Sequence, residues 1–151
     1  MIQGNSYGKM AKAISETLGK DFNKAVLVAE TEAHRVHNAA KLESIKHADE
    51  IGVEMAKIWV STLDMKTRSA HQSLDGQEVG VDDNFTSPTG ATGPAPGQMG
   101  SAKDDINCRC SFIVQVAGTK PEFRRVRGEG VVPYQNYAEW AEAHGFKTKK
   151  K

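Results

Sequence analysis

Apolar side chains recur at helical spacing through the first third of the chain. A first stripe ends before Gly19, where a helix end favours a residue that is free to take positive φ; its members are Tyr7, Met10, Ile14 and Leu18. A second stripe starts after Asp21, which occupies an N-cap position; its members are Phe22, Val26, Ala29, Ala33, Val36 and Ala40. The spacing predicts a helix over residues 6–18 and a second one of about five turns or more that reaches residues 45–51.

The hydrophobic period changes after Gly52. Residues 53–62 are rich in β-branched and aromatic side chains and have no helical face that excludes charge, which predicts a strand. Residues 108–116 alternate with a two-residue period, which places one set of side chains on a single face of another strand: Cys108, Cys110, Phe112, Val114 and Val116. A brief strand is predicted over residues 77–79, and a short helix between Asp64, its expected cap, and Leu74.

Residues 80–101 differ from the rest of the chain in composition. They contain five glycines and three prolines, and Phe85 is almost the only large apolar anchor. Loops of this length are uncommon in compact domains and are usually functional or disordered. We expect a long Gly/Pro loop that crosses the edge of the sheet, is highly mobile and is cleaved early by proteases.

The last part of the chain carries one clear helix signal. Residues 118–133 are predicted to be irregular, with a strand near 123–126. Asn136 and Glu139 have the spacing of a capping box. A short helix follows and stops at Gly145, with one face formed by Tyr137, Trp140, Ala141 and His144.

These elements predict an α+β fold, in which long N-terminal helices pack on a small antiparallel sheet and a C-terminal helix is added. We divide the chain into a domain over residues 1–117 and a basic extension with a short helix over 118–151. The domain comprises a helical lead-in (1–51) and a sheet region (52–117).

Composition narrows the class of protein. A chain of 151 residues is one ordinary domain, and its apolar fraction of 38% allows a modest core. Twenty basic against 19 acidic residues give a net charge of +1, which excludes a generic polybasic nucleic-acid binder. No apolar run is long enough for a transmembrane helix, and two cysteines cannot form a disulfide framework. We expect a soluble, intracellular domain without a membrane partner.

Positive charge is concentrated near the end of the chain. Residues 111–151 carry eight basic and four acidic side chains. The basic candidates for nucleic-acid contact are Arg124, Arg125, Arg127, Lys147, Lys149, Lys150 and Lys151. The alternative is an ordinary solvated terminus.

One group of residues has the composition of a metal site. Asp64, Arg68 and His71 are spaced four and three apart, on one face of the short helix. One histidine and two cysteines, Cys108 and Cys110, with a carboxylate in reach, form a ligand set that Zn²⁺ prefers. Cys-x-Cys is less diagnostic than Cys-x-x-Cys, so two buried reduced thiols remain an alternative. A strained disulfide between them is a third interpretation.

A polar network is predicted around the second helix. Glu32 lies beside the apolar stripe, and a partly buried acid needs a partner, for which Arg68 and Arg109 are the candidates. Glu32, Asp64 and His71 also have the residue types of an acid–base set, although such sets are common in ordinary ion-pair networks.

The ordered motifs resemble the phage Mu F-like head morphogenesis family. The resemblance covers roughly residues 10–116 and rests on Lys57-x-Trp59, Asp64-x-x-Thr67-Arg68-x-x-His71-x-x-Leu74-Asp75-Gly76-Gln77, Phe85, the Gly/Pro loop and Asn107-Cys108-Arg109-Cys110. Thr31-Glu32 and Asn38-Ala39-Ala40 are similar to the helical lead-in of that family. The resemblance implies a few-copy component of a tailed-phage head that associates with the portal vertex and in some cases binds DNA.

The resemblance also carries over a ligand set and a location. The metal ligands would be His71, Cys108 and Cys110, with Asp64 as a fourth. We therefore expect a structural minor head protein that is not an enzyme and has no small-molecule substrate. It would occur in the virion head, and in the host cytoplasm during assembly. The alternative is a small metal-dependent hydrolase or toxin-like enzyme that uses Asp64, His71, Cys108 and Cys110.

Overall fold

Two antiparallel helices form an arm at the start of the fold. The computed structural model describes residues 6–18, 21–50, 52, 54–116, 118–119 and 121–146. Helix α1 (Tyr7–Leu18) packs on the first half of α2 (Phe22–Glu50). The contact is close because the facing side chains are small: Ala11, Ala25 and Ala29 are buried. Asp21 caps α2 as predicted, since its Oδ1 accepts the backbone N–H of Asn23 at 2.7 Å.

The buried face of α2 differs from the predicted stripe. Phe22 and Val36, two members of that stripe, are 51% and 65% exposed. The face that meets the sheet instead contains Asn38, Leu42 and Ile45, all buried. The hydrophobic pattern missed this face because a polar residue, Asn38, occupies its centre. None of the described helices combines the length and the apolar character that crossing a membrane requires.

A three-stranded antiparallel sheet lies under α2. Its strand order is β2 (Glu78–Gly80), β1 (Met55–Val60) and β5 (Ser111–Val116), so the two strongest predicted strands are direct neighbours. The register pairs Trp59 with Phe112. Both side chains are fully buried and belong to the main hydrophobic core. The α+β fold class is therefore confirmed, with long helices on a small antiparallel sheet.

Residues 80–101 pack into the core, which corrects the expectation of a mobile loop. They contain a small hairpin of β3 (Phe85–Thr86) and β4 (Thr92–Gly93). Phe85, Ala95 and Met99 are at most 2% exposed and belong to the main core. Gly93 allows a close backbone approach, because a Cβ added there would lie 2.0 Å from the carbonyl oxygen of Gln98.

Two buried polar side chains hold this segment in place. Lys57, on the central strand, donates from Nζ to the carbonyl oxygens of Asp83 and Pro94, each at 2.9 Å. Asn38 donates from Nδ2 to the carbonyl of Pro96 at 2.9 Å. Backbone carbonyls can anchor a segment as firmly as apolar side chains, and a count of large apolar residues does not detect them.

The predicted short helix begins later than expected. Helix α3 (Ser69–Leu74) has Arg68 at its N-cap position, so Asp64 is not its cap. Asp64 closes the turn before it, where its Oδ1 accepts the N–H of Lys66 at 2.9 Å and the hydroxyl of Thr67 at 3.2 Å. A further short helix, α4 (Ala102–Asp105), precedes the cysteines and was not predicted.

The C-terminal residues form a second, smaller core. Strand β6 (Phe123–Val126) is confirmed, and it pairs with β7 (Gly130–Pro133), which was not predicted. Helix α5 (Tyr137–Ala143) has the predicted capping box between Asn136 and Glu139. Its buried face packs on the residues that follow β1; the members of this core are Leu63, Val126, Tyr137, Trp140 and Ala141. The division at residue 117 stays a prediction.

Candidate metal centre

His71, Cys108 and Cys110 meet inside the main core. Their potential ligand atoms all lie within 4.8 Å of one another, and the three residues are at most 4% exposed. His71 Nδ1 is 3.2 Å from Cys110 Sγ and 3.7 Å from Cys108 Sγ. Neither cysteine is in a disulfide. The structure thus brings together the three residues that form the core of the predicted ligand set.

Three separate elements position these side chains. His71 lies in the last turn of α3, and both cysteines lie in the extended segment between α4 and β5. That segment starts at Asn107, whose φ of 55° lies in the left-handed region that asparagine tolerates better than most residues. Helix α2 fixes its other end, since His34 and Asn38 contact the carbonyl oxygen of Cys110.

A buried carboxylate faces the other nitrogen of the histidine ring. Asp104 is 1% exposed, and its Oδ1 lies 3.4 Å from His71 Nε2. Burial raises the pKa of Asp104, but hydrogen bonds from Thr89 (2.8 Å) and Ser87 (3.0 Å) outweigh it, so the pKa is lowered overall. Metal-binding histidines usually present their second ring nitrogen to such a carboxylate, which fixes the ring and its tautomer.

The two thiols have unequal acidity. The hydrogen bond from the Cys108 thiol lowers the pKa of Cys110 well below its usual range, and His71 adds to this effect. The same interaction with Cys110, together with burial, raises the pKa of Cys108. One sulfur of the pair is therefore predisposed to be a thiolate, the form that binds metals.

The arrangement suits a tetrahedral zinc ion. Zinc–sulfur and zinc–nitrogen bonds of about 2.3 and 2.1 Å place neighbouring tetrahedral ligand atoms about 3.6–3.8 Å apart, and the two sulfurs lie 3.2 and 3.7 Å from His71 Nδ1. Among the described residues, buried His71 Nε2 makes no hydrogen bond, so its approach to Asp104 Oδ1 at 3.4 Å is a close polar contact without hydrogen-bond geometry. A cavity of about 10 Å³ beside His71 and Cys110 has room for about one water molecule.

Asp64 lies outside the group of potential ligand atoms among the described residues. Its two oxygens accept hydrogen bonds from the guanidinium of Arg109, which is the first cause of its lowered pKa. The structure therefore gives Asp64 a partner other than the metal. Arg68 donates to three backbone carbonyls next to the cysteines, those of Lys103, Asp104 and Ile106.

The predicted partnership of Glu32 with Arg68 or Arg109 is wrong. The Glu32 side chain is 48% exposed and pairs with Arg35, one turn along α2. The rotation of α2 that buries Asn38 turns Glu32 toward solvent. The acid–base set of Glu32, Asp64 and His71 therefore does not assemble.

The predicted basic surface is only partly present. Arg124 is 6% exposed and forms a buried ion pair with Asp75, so it is not available to nucleic acid. Arg125 and Arg127 are exposed. The remaining candidates lie outside the described residues: Lys147, Lys149, Lys150 and Lys151.

Sequence reasoning missed three residues that support the site. Asp104, His34 and Asn38 are polar residues that become important because the fold places them against His71 or Cys110. One signal was available for Asp104. It follows Lys103 in a charged run just ahead of the cysteine motif, and a predicted zinc-binding histidine calls for a carboxylate nearby.

The fold and the site together define an α+β domain with a buried His–Cys–Cys cluster. A family model described as Phage Mu protein F like protein matches residues 1–113. The chain belongs to this family, which confirms the resemblance seen in its motifs. No solved structure matches it.

Two curated relatives match nearly the whole chain. It is 40% identical over 144 residues to Minor head protein GP7 of Bacillus phage SPP1, covering 93% of this chain and 46% of that protein. It is 36% identical over 141 residues to NAD(+)--arginine ADP-ribosyltransferase EFV of Enterococcus faecalis (strain ATCC 700802 / V583), covering 93% and 29%. The chain spans less than half the length of either relative.

Proposed function

We propose that the chain is the head morphogenesis module of a minor head protein, which assembles with the portal and other capsid components of a tailed phage or prophage. Its family and its 40% identity to the SPP1 minor head protein carry this proposal. The host cytoplasm during assembly and then the virion head are its proposed locations. The helical arm, α1 and the start of α2, suits an assembly protein because it exposes large apolar side chains, Tyr7, Phe22 and Val28.

We further propose that His71, Cys108 and Cys110 hold one Zn²⁺, with a water molecule rather than Asp64 as the fourth ligand. The short distances within the buried cluster and the carboxylate behind His71 support it. Bound there, the metal would crosslink α3 to the segment before β5 and so add folding free energy. His71 and the cysteines would supply the ligands, and Asp104 would hold the ring of His71.

The enclosure of the cluster favours a structural site over a catalytic one, since its three side chains are at most 4% exposed. A catalytic zinc needs an open position beside a pocket for substrate. The cavity at His71 and Cys110, about 10 Å³, is too small for more than one water. The hydrolase alternative with Asp64 as an active group is further weakened because both oxygens of Asp64 are engaged by Arg109.

The ADP-ribosyltransferase relative motivates a second candidate function, transfer of ADP-ribose to arginine. The chain covers 29% of that enzyme at 36% identity, and it is 40% identical to a head protein over a similar length. A segment that a head protein and a transferase share is better explained as a common module than as the part that contains the transferase active site. We therefore propose that this chain is not an enzyme.

Mass spectrometry of purified heads tests the assembly proposal. Heads of the virus that encodes the chain should contain it in fewer copies than the major capsid protein. Heads assembled without it should be defective, and expression of the chain should rescue them. Complete heads that lack the chain, formed at normal yield, would contradict the proposal.

A transfer assay tests the enzyme alternative. The purified chain is incubated with labelled NAD⁺ and an arginine-rich acceptor protein, beside the full-length E. faecalis transferase as a positive control. We expect no label on the acceptor with this chain. Labelling that depends on the chain would assign it the enzymatic function instead.

A further inference from the structure

A groove lined by arginines lies between the sheet and the C-terminal hairpin. It has a volume of about 490 Å³ and opens between the end of β1 and the β6–β7 hairpin. Its apolar lining comes from Val60, Leu63 and Val126. Three arginines are also among the residues that line it: Arg109, Arg125 and Arg127. A groove with apolar and cationic lining is suited to a ligand that is both apolar and anionic.

Two of these arginines have no partner of their own. Arg109 forms its two hydrogen bonds with Asp64, which neutralises it. Arg125 and Arg127 are exposed and make no ion pair within the described part of the chain. Among the described residues, none that lines the groove carries a carboxylate. The groove is therefore cationic although the whole chain carries a net charge of only +1.

The outer face of the β6–β7 hairpin also carries both basic and apolar side chains. Arg125 lies directly opposite Val131, so the two side chains share one face of the ribbon. Val131 is 71% exposed, and Phe123, two residues before Arg125 on the same strand, is 62% exposed. Basic and apolar side chains therefore alternate along an open surface beside the groove.

We infer that this groove binds an extended acidic peptide segment of a partner protein, with carboxylates on Arg125 and Arg127 and apolar side chains on the groove lining. Arginine forms paired hydrogen bonds with a carboxylate, which gives orientation as well as attraction. The inference rests on the proposed assembly function for its biological setting, because a capsid component would supply the peptide.

The lining favours a peptide over nucleic acid. Nucleic-acid affinity grows with the number of phosphates that are neutralised, and the described part of the chain lines the groove with two unpaired arginines and no lysine. Single-stranded binding also relies on aromatic side chains on which bases stack, and none of the described residues that line this groove is aromatic. Arg124, which would have extended the basic surface, is buried against Asp75.

Fluorescence anisotropy with the purified full chain tests the inference. The probe is a labelled, capped peptide of about eight residues that alternates Glu and Val, the length of an ordinary strand. Comparison peptides replace Glu by Gln or by Lys, and a labelled DNA duplex is titrated in parallel. We expect the Glu peptide to bind at least about tenfold more tightly than the Gln peptide, with affinity that falls as salt rises.

Variants locate the binding. The double variant Arg125→Gln with Arg127→Gln should bind the Glu peptide about tenfold less tightly, since each exposed ion pair contributes a few-fold in affinity. The matched control, Lys9→Gln with Lys24→Gln, removes the same charge from α1 and α2 and should leave binding unchanged. Arg125→Glu with Arg127→Glu should reverse the preference and bind the Lys peptide. All four side chains are exposed, so melting temperatures should stay close to that of the parent.

Three results would overturn the inference. Equal binding of the Glu and Gln peptides would remove the role of the carboxylates. Duplex DNA that binds more tightly than the peptide, and loses affinity in the arginine double variant, would assign the groove to nucleic acid. Self-association that this variant abolishes would assign it to a second copy of the chain. None of these measurements depends on phage heads, so their outcome is separate from that of the assembly proposal.

Discussion

Asp104 lies behind the imidazole ring of His71, with its Oδ1 3.4 Å from Nε2, while Nδ1 on the opposite side of the ring faces the two cysteine sulfurs. Both residues are almost fully buried. Asp104 is in turn fixed by hydrogen bonds from Ser87 and Thr89, which belong to the Gly/Pro-rich segment. The orientation of the proposed zinc ligand therefore depends on a segment that the sequence suggested was mobile.

Replacing this carboxylate should weaken the metal site without removing a ligand. Asp104→Asn should reduce zinc affinity about 10–100-fold, because the ring loses the charged partner that orients it. Competition with a chromophoric chelator measures the affinity, and the visible spectrum of the Co²⁺-substituted chain reports the ligand geometry. Asp82→Asn, at an exposed acid, is the matched control. If zinc affinity and the Co²⁺ spectrum are unchanged in Asp104→Asn, Asp104 does not support the metal site and serves only as the hydrogen-bond acceptor of Ser87 and Thr89.

Lys57 should control the order of the Gly/Pro-rich segment. Lys57→Met keeps the apolar stem but removes the donor to the carbonyls of Asp83 and Pro94. We expect a loss of about 2 kcal/mol or more in the free energy of unfolding, because two acceptors lose a charged partner. Limited proteolysis should then cut within residues 80–101, where the parent resists. Lys66→Met, at an exposed lysine, is the control; early cleavage of the parent itself would contradict this account.

The buried pair of Arg124 and Asp75 should be a large contributor to the stability of the C-terminal core. Their side chains are 4% and 0% exposed, and Asp75 also accepts the backbone N–H groups of Ser61 and Tyr137. Arg124→Met should cost about 3–5 kcal/mol in the free energy of unfolding, because it leaves a buried carboxylate without its counter-charge. Arg125→Met, next along the strand but exposed, should cost less than about 0.5 kcal/mol. Similar losses for both variants in urea titrations would contradict the assignment.

The pair of Asp64 and Arg109 predicts a specific pH dependence. The hydrogen bond from Arg109 lowers the pKa of Asp64, so this carboxyl binds protons less readily in the folded chain than in the unfolded one. Its stabilisation is complete above the ordinary aspartate pKa of about 4 and is lost as the pH falls through the lowered value. Asp64→Asn keeps the turn but removes the charge. It should be less stable than the parent by up to about 1 kcal/mol at pH 7, since the pair is partly exposed.

Urea titrations across pH measure this difference. The gap between parent and Asp64→Asn should close on acidification, because the parent then loses the same charge. Asp21→Asn, at the exposed cap of α2, provides a carboxylate without an arginine partner as the comparison. A gap that stays constant down to pH 2 would show that the charge of Asp64 does not contribute.

Local signals in the sequence were sufficient for most of the secondary structure. The alternation in residues 108–116, the β-branched run before Ser61 and the capping box at Asn136 each depend on neighbours within a few positions. The two strands and the capping box are confirmed, but β5 starts only at Ser111, so both cysteines precede the strand. The buried face of α2 could not be predicted in this way. Asn38 is buried because the carbonyls of Pro96 and Cys110, distant in sequence, satisfy it.

The candidate site shows the same division between local and distant information. Residue chemistry pointed to His71, Cys108 and Cys110, and the fold brings them together. Asp64 was included because a carboxylate in helical spacing could reach the same place. Asp64 does not reach the cluster, because α3 starts only at Ser69 and the carboxylate is hydrogen-bonded to Arg109. The actual carboxylate, Asp104, depends on a short helix that carries no strong local signal.

Metal content and thermal stability, measured together, test the central claim most directly. The parent, His71→Ala and Cys110→Ser are each analysed for zinc and melted with and without chelator. We predict about one zinc per parent chain and a chelator-induced drop in melting temperature of about 10 °C or more. We also predict that both variants lack zinc and that the chelator leaves their melting temperatures unchanged. A parent that contains no metal, and whose melting temperature the chelator does not change, would contradict the claim and leave two buried thiols beside a histidine.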